Sequence, residues 1–187
     1  MANWVDPVSI EYKNTDGTAI ASSSLSSGAP TECTGENIDL TSVTASKAGY
    51  TFDGWYDNAE CTGSPITTLS GDYSSTIVLY AKFTSLSKPV SITLTMSGAN
   101  NSAIILYLLK GGTMQQQIVW TSSGTFTLQQ SYGETYTLLV NKPYMWSITA
   151  TGSGTLNGCM YTYVVGETNT IAITISGSSS TNQMIVI

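Results

Sequence analysis

The sequence predicts a mainly β protein built from two β-rich domains. Three observations predict it. Ser, Thr, Gly and β-branched residues dominate a chain in which only 10% of residues are charged, so strand formers supply the faces and small polar residues the turns. Apolar residues recur with period two in short runs separated by Gly, Asn and Ser. No long stretch carries the 3.6-residue periodicity of an amphipathic helix. The 187 residues suffice for one medium domain or two small ones, and a 41% apolar content suffices for a core.

In chain order, "VSIEYKNTDGTAIAS" alternates on both sides of Asp16-Gly17. This reads as a hairpin in which both turn positions take positive φ. "IDLTSVTAS" reads as a strand or a short irregular crossing. "YTFDGWYD" alternates again through Tyr50 and Phe52 to Trp55, past a break at Gly54. "TIVLYAKF" places Ile77, Leu79 and Ala81 on one face and Val78, Tyr80 and Lys82 on the other. Residues 1–86 hold ten acids and three lysines, a net −7, whereas residues 87–187 hold two acids and three lysines, a net +1. The shift falls at "FTSLSKPVS", where Lys88-Pro89 reads as a linker because proline is excluded from central strands. The domains are therefore expected at 1–86 and 87–187.

The second part reads as eight strands: "VSITLTM", "AIILYLLK", "QQQIVWT", "GTFTLQQ", "TYTLLVN", "MWSITATG", "MYTYVVG" and "NTIAITI". Short strands at this spacing point to an antiparallel sandwich. "AIILYLL" is a continuous apolar run, expected in a central strand buried on both faces.

The inventory excludes several chemistries. The chain has no His and no Arg, so it has no histidine base or metal ligand and no guanidinium fork for phosphate or guanine. The net charge of −6 argues against nucleic acid. No apolar run reaches membrane-spanning length, and no Cys-x-x-Cys suggests zinc. No cofactor, metal or catalytic residue is expected. "DNAEC" lacks the spacing of a calcium loop, and Asp53, Asp57 and Glu60 read as solvated charge. Cys33, Cys61 and Cys159 are an odd set; Cys33 and Cys61 pair if their Cα atoms come within about 7 Å, and otherwise all are free thiols. The opening "MANWVDPVSIEY" lacks the basic and apolar regions of a signal peptide, and a full-length chain in an ordered setting is expected.

"GYTFDGWYDNAECTGSPIT", followed by "STIVLYAKFT", resembles the Listeria–Bacteroides repeat, the B-repeat of internalin-type surface proteins. Gly49, Tyr50, Thr51, Phe52, Gly54, Trp55 and Tyr56 fit its first half. Leu79, Tyr80, Ala81 and Lys82 fit its second, with Phe83 where the family usually has Trp. The resemblance covers roughly residues 8–84. It implies a small β-grasp-like domain without catalysis, serving as stalk, spacer or adhesive module. "GTFTLQQSYGETYTLLVNKPY" resembles prealbumin-like or carboxypeptidase-regulatory-like sandwiches of surface proteins.

In a domain of about 80 residues a few aromatics must carry the core. Phe52 and Trp55 are therefore expected to be buried, and the Tyr50 and Tyr56 hydroxyls to reach the surface. Candidate partner contacts are Tyr144, Met145 and Trp146 beside a proline corner, and the apolar run Met184, Ile185, Val186 and Ile187. Core packing competes as the reading of the first three. The sequence points to a non-enzymatic structural protein on the exterior of an assembly, foremost a phage virion decoration, fibre or tail component. The alternative is a bacterial cell-surface adhesin or stalk module. Protein partners, self-association or a surface glycan are expected at the virion or cell surface.

Overall fold

The computed structural model describes residues 6–70, 73–97, 103–142 and 146–177. The chain divides into two compact units, Met1–Ser85 and Leu86–Ile187. Among the described residues the regular structure is β, apart from one 3₁₀ turn at Ser22–Ser24.

The first unit contains β1 (Val8–Lys13), β2 (Glu32–Cys33), β3 (Ile38–Asp39), β4 (Tyr50–Tyr56), β5 (Thr68–Leu69) and β6 (Ile77–Ser85). Four of them form a mixed sheet in the order β2-β1-β6-β4, and β3 pairs with β5. The first and last strands, β1 and β6, are parallel neighbours, in register from Ile10↔Ile77 to Lys13↔Tyr80. Alternation puts Ile10 and Tyr12 beside Ile77, Leu79 and Ala81 on the buried face. The "IDLTSVTAS" segment forms strand only at Ile38–Asp39. It then crosses irregularly and sends Leu40, Val43 and Ala45 into the core.

The Asp16-Gly17 turn closes with one bridge, Lys13↔Ala19. Gly17 alone takes positive φ, at 83°. The expectation of two left-handed positions is corrected: Asp16 instead accepts the Thr18 backbone N–H at 2.9 Å and its hydroxyl at 2.6 Å, which fixes the turn without left-handed strain at Asp16. The arm after the turn pairs with β1 only briefly, the Ile20 N–H donating to the Tyr12 carbonyl at 2.9 Å; by Ile10 that edge of β1 already bonds the Thr31 carbonyl and then β2.

The second unit contains β7 (Ser87–Ser97), β8 (Ile104–Lys110), β9 (Thr113–Trp120), β10 (Gly124–Ser131), β11 (Thr135–Asn141), β12 (Ser147–Gly152), β13 (Gly154–Asn157), β14 (Met160–Val164) and β15 (Asn169–Ser176). They form two sheets, β10-β7-β15-β12 and β13-β14-β11-β8-β9. Their inner faces meet in one core that includes Ile92, Leu94, Leu106, Leu138, Tyr161 and Ile173. All neighbours are antiparallel except β7 and β15, which run parallel over eight residue pairs from Val90↔Asn169 to Ser97↔Ser176.

Two local expectations are corrected here. Lys88-Pro89 is no linker: both residues lie within β7, where Pro89 pairs opposite Gln129 of β10. The β15 ladder starts only at Val90, so one side of Pro89 needs no backbone donor. "AIILYLL" is interior to its sheet, but only Ile104, Leu106 and Leu108 are fully buried. Ile105, Tyr107 and Leu109 alternate onto the opposite face and remain half-exposed, because none of the described strands of this unit forms a layer over that side.

Candidate functional site

The aromatic cluster of the first unit is core. Trp55 is 1% exposed, and its indole N–H donates to the Val43 carbonyl at 2.7 Å, which ties the irregular crossing to the sheet. Its ring lies 4.8 Å from Tyr12 and 5.0 Å from Phe52 between centroids. Phe52 is half-buried and meets Phe83 edge-on at 5.8 Å. Tyr56 is buried as well, against the surface position expected for it, whereas Tyr50 remains half-exposed.

Beside this core lies an open cleft of about 540 Å³, whose lining includes Asp16, Lys47, Tyr50, Glu60, Lys82 and Phe83. The Asn14–Asp16 turn at its rim contributes Asp16, and the β4–β6 pair contributes Tyr50, Lys82 and Phe83. The Lys47 ammonium stands 4.4 Å from the centre of the Tyr50 ring and 5.6 Å from that of Phe83, an attraction to the ring faces. Lys82 donates to the Cys61 carbonyl at 3.4 Å and lies 5.2 Å from the Tyr56 ring centre. The Asp16 carboxyl is held below its ordinary range, first by the Thr18 hydroxyl and then by the Thr18 backbone N–H. Cys61, buried and at φ 49°, has its thiol pushed up by burial, so its thiolate is disfavoured. The cleft thus offers charges, an aromatic face and amide groups for binding. It sets no activated nucleophile beside a base.

Asn58 organises the "DNAEC" loop. Its carbonyl oxygen accepts the Thr62 N–H at 3.0 Å, and its amide donates to the Thr62 carbonyl at 3.1 Å. Among the described residues no three of His, Cys, Asp and Glu come together as a metal cluster. Cys33 and Cys61 are separate buried thiols; Cys33 points at the Glu36 and Ser70 carbonyls, each 3.7 Å away.

Of the candidate contacts, Trp146 is 4% exposed and belongs to the core of the second unit, where a Cβ on Gly177 would come within 2.5 Å of its ring. It is therefore core rather than an exposed contact. Tyr144, Met145 and Met184, Ile185, Val186 and Ile187 lie outside the described residues. The exposed residues that sequence reasoning missed are Met114, Val119, Met160 and Val164. Their signal was available as alternation with buried neighbours, most clearly in "MYTYV", where Tyr161 and Tyr163 point inward.

This is a chain of two β units, the second a two-sheet sandwich. Residues 9–82 match the family model of the Listeria-Bacteroides repeat domain, and the first unit carries such a domain. No curated protein matches the chain. Among solved structures it is similar to the T-13 major pilin protein of Streptococcus pyogenes, at 15% identity over 72% of this chain and 64% of that one, with a TM-score of 0.30. It is also similar to a major pilin of Streptococcus pyogenes, at 14% identity over 73% of this chain and 68% of that one, with a TM-score of 0.28. The chain thus spans under two thirds of the first pilin's length. Overlap at these TM-scores is partial, and the functional reading rests on other grounds.

Proposed function

We propose that this chain is a non-enzymatic spacer or adhesive module of a bacterial cell surface. The observation that carries the reading is the direction of the terminal strands. In each unit the first and last described strands are parallel neighbours, β1 with β6 and β7 with β15. The chain therefore enters each unit at one end of the sheet and leaves at the other, and each unit advances it by a strand length. For β7–β15 that is about 26 Å, at about 3.3 Å per residue. Units that hand the chain forward suit a stalk. The first unit reads as a β-grasp-like sheet in which the irregular crossing after β3 takes the place of a helix.

The repeat-family match supports the cell-surface setting over the virion setting, because repeats of this kind are implied to be parts of surface proteins. Self-association or a surface glycan are the proposed partners, with the Lys47–Tyr50 cleft as the first place to look for a glycan. Antibodies to the folded chain should label intact source cells, and protease shaving should remove the label. Labelling confined to phage particles, or to the cell interior, overturns the reading.

A further inference from the structure

The two outer faces of the second unit differ in kind. On the β10-β7-β15-β12 sheet the outward positions are Thr and Ser with Pro89, Gln129 and Ala172, and hydroxyls pair across strands, as in Thr93–Thr125 at 2.9 Å and Ser147–Ser176 at 2.8 Å. Such a face is satisfied in water. The other sheet also carries outward Thr, Asn and Gln, with Thr137 and Thr162 pairing at 3.0 Å, but sets large apolar side chains among them. Register places Val119 beside Ile105, Met114 beside Leu109, and Met160 beside Leu139, which stands opposite Tyr107. The exposed large apolar residues described in the chain are Leu86, Met114, Val119, Met160 and Val164. All but Leu86 lie on this one face, with exposures from 45% to 58%. No Lys, Asp or Glu occupies an outward position among them. Met160, Leu139, Tyr107, Ile105 and Val119 form a contiguous uncharged band, the kind of patch that marks a contact surface.

Size and connectivity select the occupant. The patch spans four strands at about 4.8 Å spacing and four or five residues at about 3.4 Å, so it covers on the order of 300 Å². A stable interface between two proteins needs about 800 Å² from each. The patch is therefore too small for a second globular face and of the right order for one short strand. The chain contains a short apolar segment outside the described residues, Met184-Ile185-Val186-Ile187, preceded by the polar residues "SSSTNQ" at 178–183. Its point of departure is fixed. Ser176 pairs with Ser147 and Ser97, and the Gly177 N–H donates to the Ser97 carbonyl at 3.1 Å. This is the end of the sandwich at which β8 begins with Ile104 and β9 finishes with Trp120, so the patch's Ile105 and Val119 lie nearest to it. The facing sheet is about 10 Å away, and six extended residues reach about 20 Å. A tether this short holds the segment at millimolar effective concentration over its own sheet. We propose that residues 184–187 dock on the outer face of the β13-β14-β11-β8-β9 sheet of the same chain and cover Val119, Tyr107, Leu139 and Met160.

Methionine oxidation reads the cover directly, since Met114 and Met160 flank the patch and report their own accessibility. The full chain, a chain ending at Gly177 and an Ile185→Asp/Ile187→Asp variant would be exposed to dilute peroxide, with oxidation followed by peptide mass spectrometry and oligomeric state by light scattering. Met160 should oxidise several-fold faster in the truncated and aspartate forms than in the full chain, with all three monomeric and with unchanged circular dichroism. Equal rates in the three forms overturn the proposal. So does protection that appears only with concentration-dependent dimers, which would make the occupant a neighbouring copy. Should the truncated chain prove unfolded, the aspartate variant alone decides, because it keeps the backbone intact.

Discussion

Trp55 shows at the scale of one residue how a small domain concentrates its stability. The ring is almost fully buried among Tyr12 and Phe52, and its N–H satisfies the Val43 carbonyl. Trp55→Ala removes both and should destabilise the first unit by about 3–5 kcal/mol, most of what so small a domain has. Urea unfolding followed by circular dichroism checks it. A folded variant of near-native midpoint would count against the core role. Trp55→Phe keeps most of the packing but leaves the Val43 carbonyl unpaired, and should cost about 1–3 kcal/mol. Tyr163 gives a pH prediction. Its phenol is pushed up to about 12, chiefly by burial, against about 10 in an unfolded chain. Between those values the unfolded state loses its proton and the folded state keeps it, so stability is intact below pH 10 and falls above it. The loss should approach about 2 kcal/mol by pH 12, and Tyr163→Phe should flatten that limb while losing the Gln130 contact at every pH. That Trp55 belongs to the core could be read from the sequence, since a domain this short has few other large side chains to bury. Its anchoring of the crossing could not, because Val43 contributes a backbone carbonyl that no pattern marks.

At the scale of elements, the corner between the two sheets of the sandwich is set by two glycines. Gly152 closes β12 at φ 134°, where a Cβ would stand 2.5 Å from the Thr170 carbonyl. Gly154 opens β13, where a Cβ would collide with the Thr162 carbonyl, and its N–H donates to the Tyr161 hydroxyl at 2.7 Å. Both obstacles are backbone and cannot swing aside. Gly152→Ala should destabilise the second unit by about 2–3 kcal/mol, seen as a lower midpoint for that transition with the first unit's unchanged. An equal loss in both transitions, or none, would show that the corner is not tight. The eight strands legible in the second half all occur, because each combines period-two alternation with a flanking turn signal. β13 escaped notice because four residues, "GTLN", hold too little alternation and begin on a glycine. Lys88-Pro89 misled for the converse reason. A proline inside a strand is tolerated where one neighbour is absent, and the late start of β15 is a tertiary fact. The face of β8 misled too, since a run of apolar residues fits burial on both sides and exposure of one side equally well. Composition cannot tell those apart without knowing what lies beyond the sheet.

Across the whole molecule, two β units with different cores should unfold in two steps, separable by placing Trp55→Ala in one and Gly152→Ala in the other. The sequence shows a change in charge near residue 87, but nothing in it marks the parallel pairing within each half. Alternation says that a segment is a strand and is silent on which neighbour it chooses or in which direction. That pairing has a mechanical meaning. Pulling on the two ends of a unit drags its parallel terminal strands past each other along their length. Every residue pair between them then resists at once, whereas a hairpin pulled at its open end yields one pair at a time. The second unit sets eight such pairs against four in the first. Drawn out by its ends in an optical trap, the chain should therefore give way first in the repeat domain and later, at higher force, in the sandwich. Pulled instead through Gly111 and residue 187, so that β15 is no longer loaded against β7 from opposite ends, the sandwich should open at a lower force. A protein that must hold a load between two anchor points gains from that order of failure: the weaker unit lengthens and relaxes the line before the stronger one is lost.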